Sequence, residues 1–209
     1  VFTLLAIYLI DRMGRRPLLL VGMAGIAVSL LLCAYSFNQA TYELSATEIN
    51  SFENIDTYKL AEFQDRTYNS DVVFKSDIKA AIGNQVYALN EGAILEAAID
   101  MNATLVLIGI LGFIACFAFS LGPVMWVMLS EIFPNLYRGL AIGVIGFLNS
   151  FSSWLVQQIF PWEISNLGSA LTFFIYGMIA TVGVLLFIKI LPETKGKSLE
   201  EIEYELVNA

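Results

Sequence analysis

Long apolar runs alternate with short polar segments along most of the chain, and this pattern predicts a membrane protein. Four runs, free of charge apart from Lys189 near the last end, are long enough for a membrane-spanning helix, which takes about 20 residues. The predicted spans are 17–37, 103–129, 139–160 and 169–191. Residues 1–10 are apolar but too short to span, so we expect a truncated transmembrane helix. The sequence therefore predicts an all-α polytopic membrane protein with four full transmembrane helices plus a stub.

The Lys and Arg residues of the short connections predict which side of the membrane each connection faces. They lie in the predicted loops 11–16 and 130–138 and in the tail 192–209, and counting crossings places all three on one side. The predicted outer turn 161–168 has no Lys or Arg. The segment 38–102 is too long for the rule to apply. We therefore predict a cell-membrane protein whose basic side, including the C-terminus, is cytoplasmic.

The segment 38–102 differs from the rest of the chain in composition. It holds eleven Asp or Glu and four Lys or Arg, and we expect an extracellular or periplasmic insertion. Apolar residues at helical spacing predict a helix within 79–101 and, more weakly, one within 43–63. One or two short helices over the outer mouth are expected. The sequence leaves open whether they form a plain solvated insertion or a lid or partner site.

Composition argues against several classes of function. The chain is 57% hydrophobic and contains no His, which leaves no histidine for catalysis, metal binding or a pH switch. Nucleic-acid binding needs clustered Lys and Arg, whereas this chain carries a net charge of −8. The sequence presents no nucleophile–base pair, metal cluster or phosphate loop. We predict no enzyme activity, no catalytic residue, no metal and no cofactor. Because the first residue is Val1 within an apolar run, we also expect the C-terminal fragment of a longer protein.

Neutral polar and aromatic side chains stand out within the predicted spans. Asn149 falls near the bilayer midplane of its span, where an unpaired amide is costly, so it is expected to face another helix or a wet cavity. Trp126 follows the helix-breaking pair Gly122-Pro123 by one turn, where freed backbone groups are tolerated only against protein or a cavity. An interhelical hydrogen bond and an interfacial aromatic anchor are the simpler interpretations. Amides and aromatics without charge also suit an uncharged, polyhydroxylated ligand.

Charged residues gather at the predicted cytoplasmic ends of the spans. An exposed Arg–carboxylate pair is worth only ~0–1 kcal/mol, so two interpretations stay open: static surface bridges, or breakable ties between helix ends that act as a gate. The candidate gate residues are Asp11, Arg12, Arg15, Glu131, Arg138 and Glu193.

Three motifs resemble those of the sugar porter family of the major facilitator superfamily. They are DRMGRRP at 11–17, GPVMW through SEIFP to RG across 122–139, and PETKG at 192–196. Their order and spacing are highly specific, and the resemblance covers nearly the whole chain except 38–102. It implies a partial C-terminal six-helix half of a major facilitator fold, from the end of the eighth helix through the twelfth.

The resemblance also implies a mechanism and a site. Family members transport by alternating access, in which two six-helix halves rock around a central site. The family's sugar-site positions fall on Phe117, Gly122, Trp126 and Asn149. Its cytoplasmic salt-bridge network falls on the candidate gate residues other than Asp11 and would close the inner side in the outward-facing state. Many members carry a tryptophan after the eleventh-helix amide, where this chain has Ser150.

The leading hypothesis is secondary active or facilitative transport of a monosaccharide or related polyol. The expected partners are a small neutral sugar, the lipid bilayer and, if transport is coupled, a proton bound in the missing N-terminal half. Two alternatives stay open: a major facilitator carrier for another small organic solute, and a non-transporting sugar sensor.

Overall fold

The computed structural model describes residues 10, 12–52, 55–197 and 201. Asp11 and the predicted stub, apart from Ile10, lie outside these described residues. In chain order the elements are α1 (Arg15–Asn38), β1 (Thr41–Tyr42), α2 (Ala46–Ser51), α3 (Thr57–Leu60), α4 (Asp71–Ile82), α5 (Asn84–Ala98), β2 (Ile99–Asp100), α6 (Ala103–Phe119), α7 (Leu121–Ile132), α8 (Arg138–Asn166) and α9 (Ser169–Ile190), with a short 3-10 helix (Ala61–Phe63) after α3. Four stretches are long and apolar enough to cross a membrane: α1, α6 with α7, α8 and α9. This agrees with the predicted all-α polytopic membrane fold.

Helix α1 packs between α9 and α6, and it runs antiparallel to both. At its start, Arg16 donates to the Ile188 carbonyl near the end of α9 at 2.7 Å. Near its end, the Phe37 ring stacks on Phe173 near the start of α9, with centroids 5.3 Å apart. On the other side, Ser36 donates to the carbonyl of Asn102, the residue before α6, at 3.3 Å. Because α1 contacts both neighbours along its length, it organises the bundle.

The helix break predicted at Gly122-Pro123 lies slightly earlier, at Ser120. Ser120 leaves helical geometry with φ −122° and ψ −90°, and Pro123 occupies the first turn of α7. A proline lacks an N–H and its ring collides with the carbonyl four residues before it, so the chain breaks upstream of the proline. The Ser120 hydroxyl donates to the Cys116 carbonyl at 2.6 Å. That bond satisfies an acceptor near the break, as apolar surroundings require.

The outer turn predicted over 161–168 is wrong for most of that range. Helix α8 continues through Pro161 to Asn166, and only Leu167 and Gly168 connect it to α9. An internal proline removes the backbone hydrogen bond to the carbonyl four residues earlier, but the turns on both sides of it remain helical in this helix of 29 residues. The Ser165 hydroxyl adds a bond of 2.8 Å to the Pro161 carbonyl. This bond adds to the turn after the proline and does not replace the one lost at the Gln157 carbonyl, four residues before Pro161.

The insertion subdomain (residues 39–102) has its own hydrophobic core and more structure than the one or two short helices expected. Its helices α2 to α5 pack around Phe74, Ile78 and Ile94, which are at most 1% exposed. The helix predicted within 79–101 is divided because Gly83 adopts φ 85°, a conformation that favours glycine. At the base, β1 pairs antiparallel with β2, Thr41 opposite Asp100 and Tyr42 opposite Ile99. That pairing brings the entry and exit of the subdomain together.

Asp71 joins the insertion subdomain to the bundle. Its Oδ2 accepts hydrogen bonds from the Ser169 amide at 2.9 Å and the Ser169 hydroxyl at 3.2 Å. The residue before α9 is Gly168, which has no side chain to cap the helix. Asp71 therefore supplies the N-cap from a distant segment, and its negative charge is favourable at a helix N-terminus. Lys75 lies 3.5 Å from the same oxygen.

Candidate functional site

A cluster of charged side chains joins three elements at the Arg15 end of the bundle. Arg15, at the start of α1, donates through Nη2 to Glu131 Oε1 near the end of α7 at 2.8 Å. The two side chains are only 16% and 22% exposed, so water screens this pair less than an open surface pair. The contact ties α1 to α7 across 116 positions of sequence.

Glu193, just after α9, caps the start of α1. Its Oε1 accepts from the Arg15 amide at 3.1 Å and from the Lys195 amide at 2.9 Å. Helix α1 has no side-chain cap of its own, because its N-cap is Gly14. Gly14 adopts φ 93°, and a Cβ there would lie 2.7 Å from Glu193 Oε2. A glycine is therefore required both for this backbone conformation and for the approach of the carboxylate.

Thr194 completes the cluster and was missed by the sequence reasoning. Its hydroxyl donates to Glu131 Oε2 at 2.6 Å, and the residue is 3% exposed. Both carboxylate oxygens of Glu131 are thus bonded, one to Arg15 and one to Thr194. The available signal was the position of Thr194 inside the PETKG motif, directly after Glu193. We call Arg15, Glu131, Glu193 and Thr194 the ionic cluster.

The other candidate gate residues lie around this cluster rather than in it. The Arg12 carbonyl accepts from Lys195 Nζ at 2.6 Å. Arg138 donates through Nε to the Phe133 carbonyl of its own loop at 3.2 Å, and its buried Nη2 has no hydrogen-bond partner among the described residues. Of the six predicted gate residues, the structure brings Arg15, Glu131 and Glu193 together.

Trp126 and Asn149 lie on neighbouring helices, and the Trp126 ring approaches α8 about one turn before Asn149. The indole Cη2 of Trp126 on α7 is 3.9 Å from the position that a Cβ would take at Gly146 on α8. Asn149 follows Gly146 by three residues and so shares its face of the helix. Trp126 is 40% exposed and Asn149 is exposed. The two predicted site residues therefore border one open surface.

Phe117 and Gly122 lie on either side of the Ser120 break. A Cβ on Gly122 would be 3.3 Å from the Phe117 carbonyl oxygen and 3.7 Å from its ring, so the glycine lets α7 start close against α6. The Phe117 ring is 48% exposed and stacks on Phe113 with centroids 6.4 Å apart. Trp126 is one turn beyond Gly122, which places all three near the break.

The simpler interpretation of Asn149, an interhelical hydrogen bond, is not seen among the described residues. The bond that involves Asn149 uses its backbone carbonyl, which accepts from the Ser153 hydroxyl at 2.9 Å. Helix α8 as a whole has no buried residue over Arg138–Asn166. The Asn149 amide is therefore available to a ligand or to another part of a larger protein.

Comparisons with known proteins place this geometry in a family. The family model described as "Sugar (and other) transporter" matches residues 1–54 and 79–206, leaving out 55–78 within the insertion subdomain. The arabinose-proton symporter of Bacillus subtilis is 30% identical over 97% of this chain and 31% of its own length. The facilitated glucose transporter member 10 of solute carrier family 2 from Danio rerio is 31% identical over 98% of this chain and 37% of its own length.

Solved structures give the same result for the fold. The inward-open xylose transporter XylE of Escherichia coli matches 98% of this chain and 33% of its own, with a TM-score of 0.62 and 27% identity. This match confirms the predicted partial major facilitator fold. The chain spans about a third of the length of the curated relatives it matches.

Proposed function

Because the chain belongs to the sugar porter family of the major facilitator superfamily, we propose that it is part of a transporter that moves a neutral monosaccharide or related polyol by alternating access. The observation that carries this proposal is the surface shared by Trp126 and Asn149, with the indole against Gly146 one turn from the amide. The relatives named above include, by their names, both proton symporters and a facilitated transporter. Secondary active and facilitative transport are therefore both within the proposal.

The chemistry of this surface suits an uncharged sugar. The indole face of Trp126 offers a flat apolar area for the C–H face of a sugar ring, as aromatic rings do for apolar partners. The Asn149 amide offers two donors and one acceptor oxygen, which match adjacent hydroxyl groups. Phe117 extends the aromatic area on the other side of the break. Since none of these groups is charged, the surface favours a neutral solute over an ion.

We assign the ionic cluster to a gate at the cytoplasmic face of a cell membrane. It ties α1, α7 and the segment after α9 through contacts that can form and break without unfolding a helix. Arg138 supports this role, because its buried Nη2 has no partner among the described residues. In the proposed cycle this guanidinium gains a partner when the ends of the helices rearrange. The C-terminus lies on the same side as the gate.

A carrier for another small organic solute is the second candidate, which the family description itself includes. A proton, if one is co-transported, would bind in a part of the full-length protein outside this chain, which spans about a third of the length of its relatives. A sugar sensor without flux would share the same binding surface, so binding alone does not separate it from a transporter. Flux does.

The test of the binding surface compares two amides on one helix of the full-length protein. Asn149→Ala removes the amide beside Trp126, and Gln158→Ala removes one nine residues on, about half a turn around the helix. We expect Asn149→Ala to weaken sugar binding roughly tenfold, the effect of about 1.4 kcal/mol, and Gln158→Ala to leave it unchanged. Binding is measured by calorimetry against a panel of hexoses, pentoses and polyols. Equal affinities for wild type and Asn149→Ala would remove Asn149 from the site.

A further inference from the structure

A half-open cavity of about 640 Å³ lies between the insertion subdomain, the end of α1 and the start of α9. It is far from the ionic cluster, at the opposite ends of α1 and α9. Its volume is within the range of about 300–1,000 Å³ that small-molecule sites occupy. Neither the sugar site nor the gate uses it.

The cavity is polar at one end and apolar at the other. Its polar lining is Asn38, Asn69, Ser70 and Asp71, and its apolar lining includes Leu31 and Phe174. Leu31 and Asn38 are seven residues apart on α1, which corresponds to about 10 Å along the helix axis. Because α1 ends at Asn38, the polar end lies where the predicted span ends, and the apolar end lies within the span. This polarity gradient follows that of a lipid bilayer.

Asp71 gives the polar end a negative character. The residue is 9% exposed and is held in place by the Ser169 amide and hydroxyl, both of which bond to Oδ2. Lys75 Nζ lies 3.5 Å from Oδ2, but no basic side chain lines the cavity, and Oδ1 accepts no hydrogen bond from the part of the chain that the structure describes. The surrounding segment 38–102 has eleven acidic and four basic residues. An anionic headgroup is therefore disfavoured here, whereas an ammonium group is attracted.

We propose that this cavity binds an amine-bearing zwitterionic phospholipid from the leaflet on the insertion side. The ammonium group lies against the Asp71 carboxylate, and the Asn38 and Asn69 amides donate to the phosphate and glycerol oxygens. The upper part of an acyl chain lies along Leu31 and Phe174. The flanking side chains favour a membrane ligand over a soluble one, since Tyr35 and Phe174 are 57% and 48% exposed. The bound lipid joins the insertion subdomain to the bundle beside the Asp71–Ser169 contact.

The test measures lipid retained by the full-length protein after extraction in mild detergent. The protein is equilibrated with equal amounts of phosphatidylethanolamine and phosphatidylglycerol, and bound lipid is counted by native mass spectrometry. We expect wild type to retain phosphatidylethanolamine in preference to phosphatidylglycerol. Ala170→Phe narrows the cavity one residue after Ser169, beside the Asp71 carboxylate, and is expected to reduce retention roughly tenfold. Leu186→Phe, an exposed position on the same helix away from the cavity, is the matched control and retains lipid as wild type does.

A second variant keeps the test decisive if Ala170→Phe fails to fold. Asn38→Leu changes an exposed residue at the end of α1, removes a polar contact and leaves the cavity volume similar. It is expected to lower phosphatidylethanolamine retention while the far-ultraviolet spectrum stays that of wild type. Equal retention by wild type and both cavity variants would overturn the proposal. A wild-type preference for phosphatidylglycerol would overturn it as well.

Discussion

Replacing Glu131 with Gln tests whether the ionic cluster works as a gate. The substitution keeps the size of the side chain and removes its charge. Glu131 Oε1 is 2.8 Å from Arg15 Nη2 and Oε2 is 2.6 Å from the Thr194 hydroxyl. The amide oxygen of the new side chain can still accept one of these bonds, and its NH₂ group cannot accept the other. The state in which α1 and α7 are tied together is therefore destabilised relative to the state in which they separate.

The structure sets the size of the effect. A hydrogen bond between charged groups contributes about 1.5–3 kcal/mol, and the low exposure of both side chains, 16% and 22%, keeps screening modest. Since about 1.4 kcal/mol corresponds to a factor of ten, the equilibrium is expected to shift roughly 10- to 150-fold toward the open gate. Thr194→Val removes the second bond, and combining it with Glu131→Gln gives less than the sum of the two effects, because both act on one carboxylate.

The assay is the labelling rate of a cysteine placed at Val127, in a background without Cys33 and Cys116. Val127 is one turn before Glu131 on α7 and is 36% exposed. A membrane-impermeant maleimide added to the predicted cytoplasmic side is expected to react faster in the Glu131→Gln protein. The control is Glu163→Gln at the other end of α8, whose carboxylate accepts from the Tyr176 hydroxyl at 2.9 Å. An unchanged rate in Glu131→Gln, or an equal rise in Glu163→Gln, would refute the gate.

Three further predictions concern stability and follow from single contacts. Gly14→Ala places a Cβ at φ 93° and against the Glu193 carboxylate, and the backbone strain alone costs about 1–3 kcal/mol. It is expected to lower the melting temperature by more than Gly196→Ala, where φ is also positive but the space around the Cβ is open. Equal losses in the two variants would contradict the capping role of Glu193. Asp71→Ala removes the cap of α9 and is expected to cost about 0.5–2 kcal/mol, with faster amide exchange at the start of α9, whereas exposed Glu96→Ala has no such effect. Burial and the nearby Asp71 carboxylate raise the pKa of Tyr42 to about 12, so the folded state favours the protonated phenol. The stability that Tyr42 contributes through this shift is complete below about pH 10, the pKa of an unperturbed tyrosine, and is lost as the pH rises toward 12. Tyr42→Phe is expected to flatten that alkaline loss in a melting-temperature series.

The spans were predictable because uncharged apolar runs of this length are typical of membrane-spanning helices. Helices α1 and α9 differ from the predicted bounds by only a few residues. The predicted boundaries were wrong where the effect of a proline depends on the residues around it. Pro123 shifts the break upstream to Ser120, and Pro161 does not end α8 at all. The pairing of β1 with β2 joins segments nearly 60 residues apart, and no local sequence pattern predicts it.

The candidate site was predictable as a set of residues but not as a set of contacts. The motifs supplied Arg15, Glu131 and Glu193, yet nothing in the sequence pairs Arg15 with Glu131 rather than with Glu193. The cap of α1 is separated from that helix by 178 positions, and the cap of α9 by 98, whereas capping rules look only at adjacent residues. Thr194 was missed for the same reason, because its hydroxyl matters only through its contact with Glu131.

Uptake of labelled sugar into vesicles that contain the full-length protein tests the central claim most directly. The account predicts saturable uptake of at least one hexose, pentose or polyol, competed by the unlabelled sugar and reduced in the Asn149→Ala protein but not in Gln158→Ala. Sugar binding without flux would assign the protein to the sensor alternative. The absence of saturable uptake of any such sugar, in vesicles where the protein is folded, would contradict the proposed function.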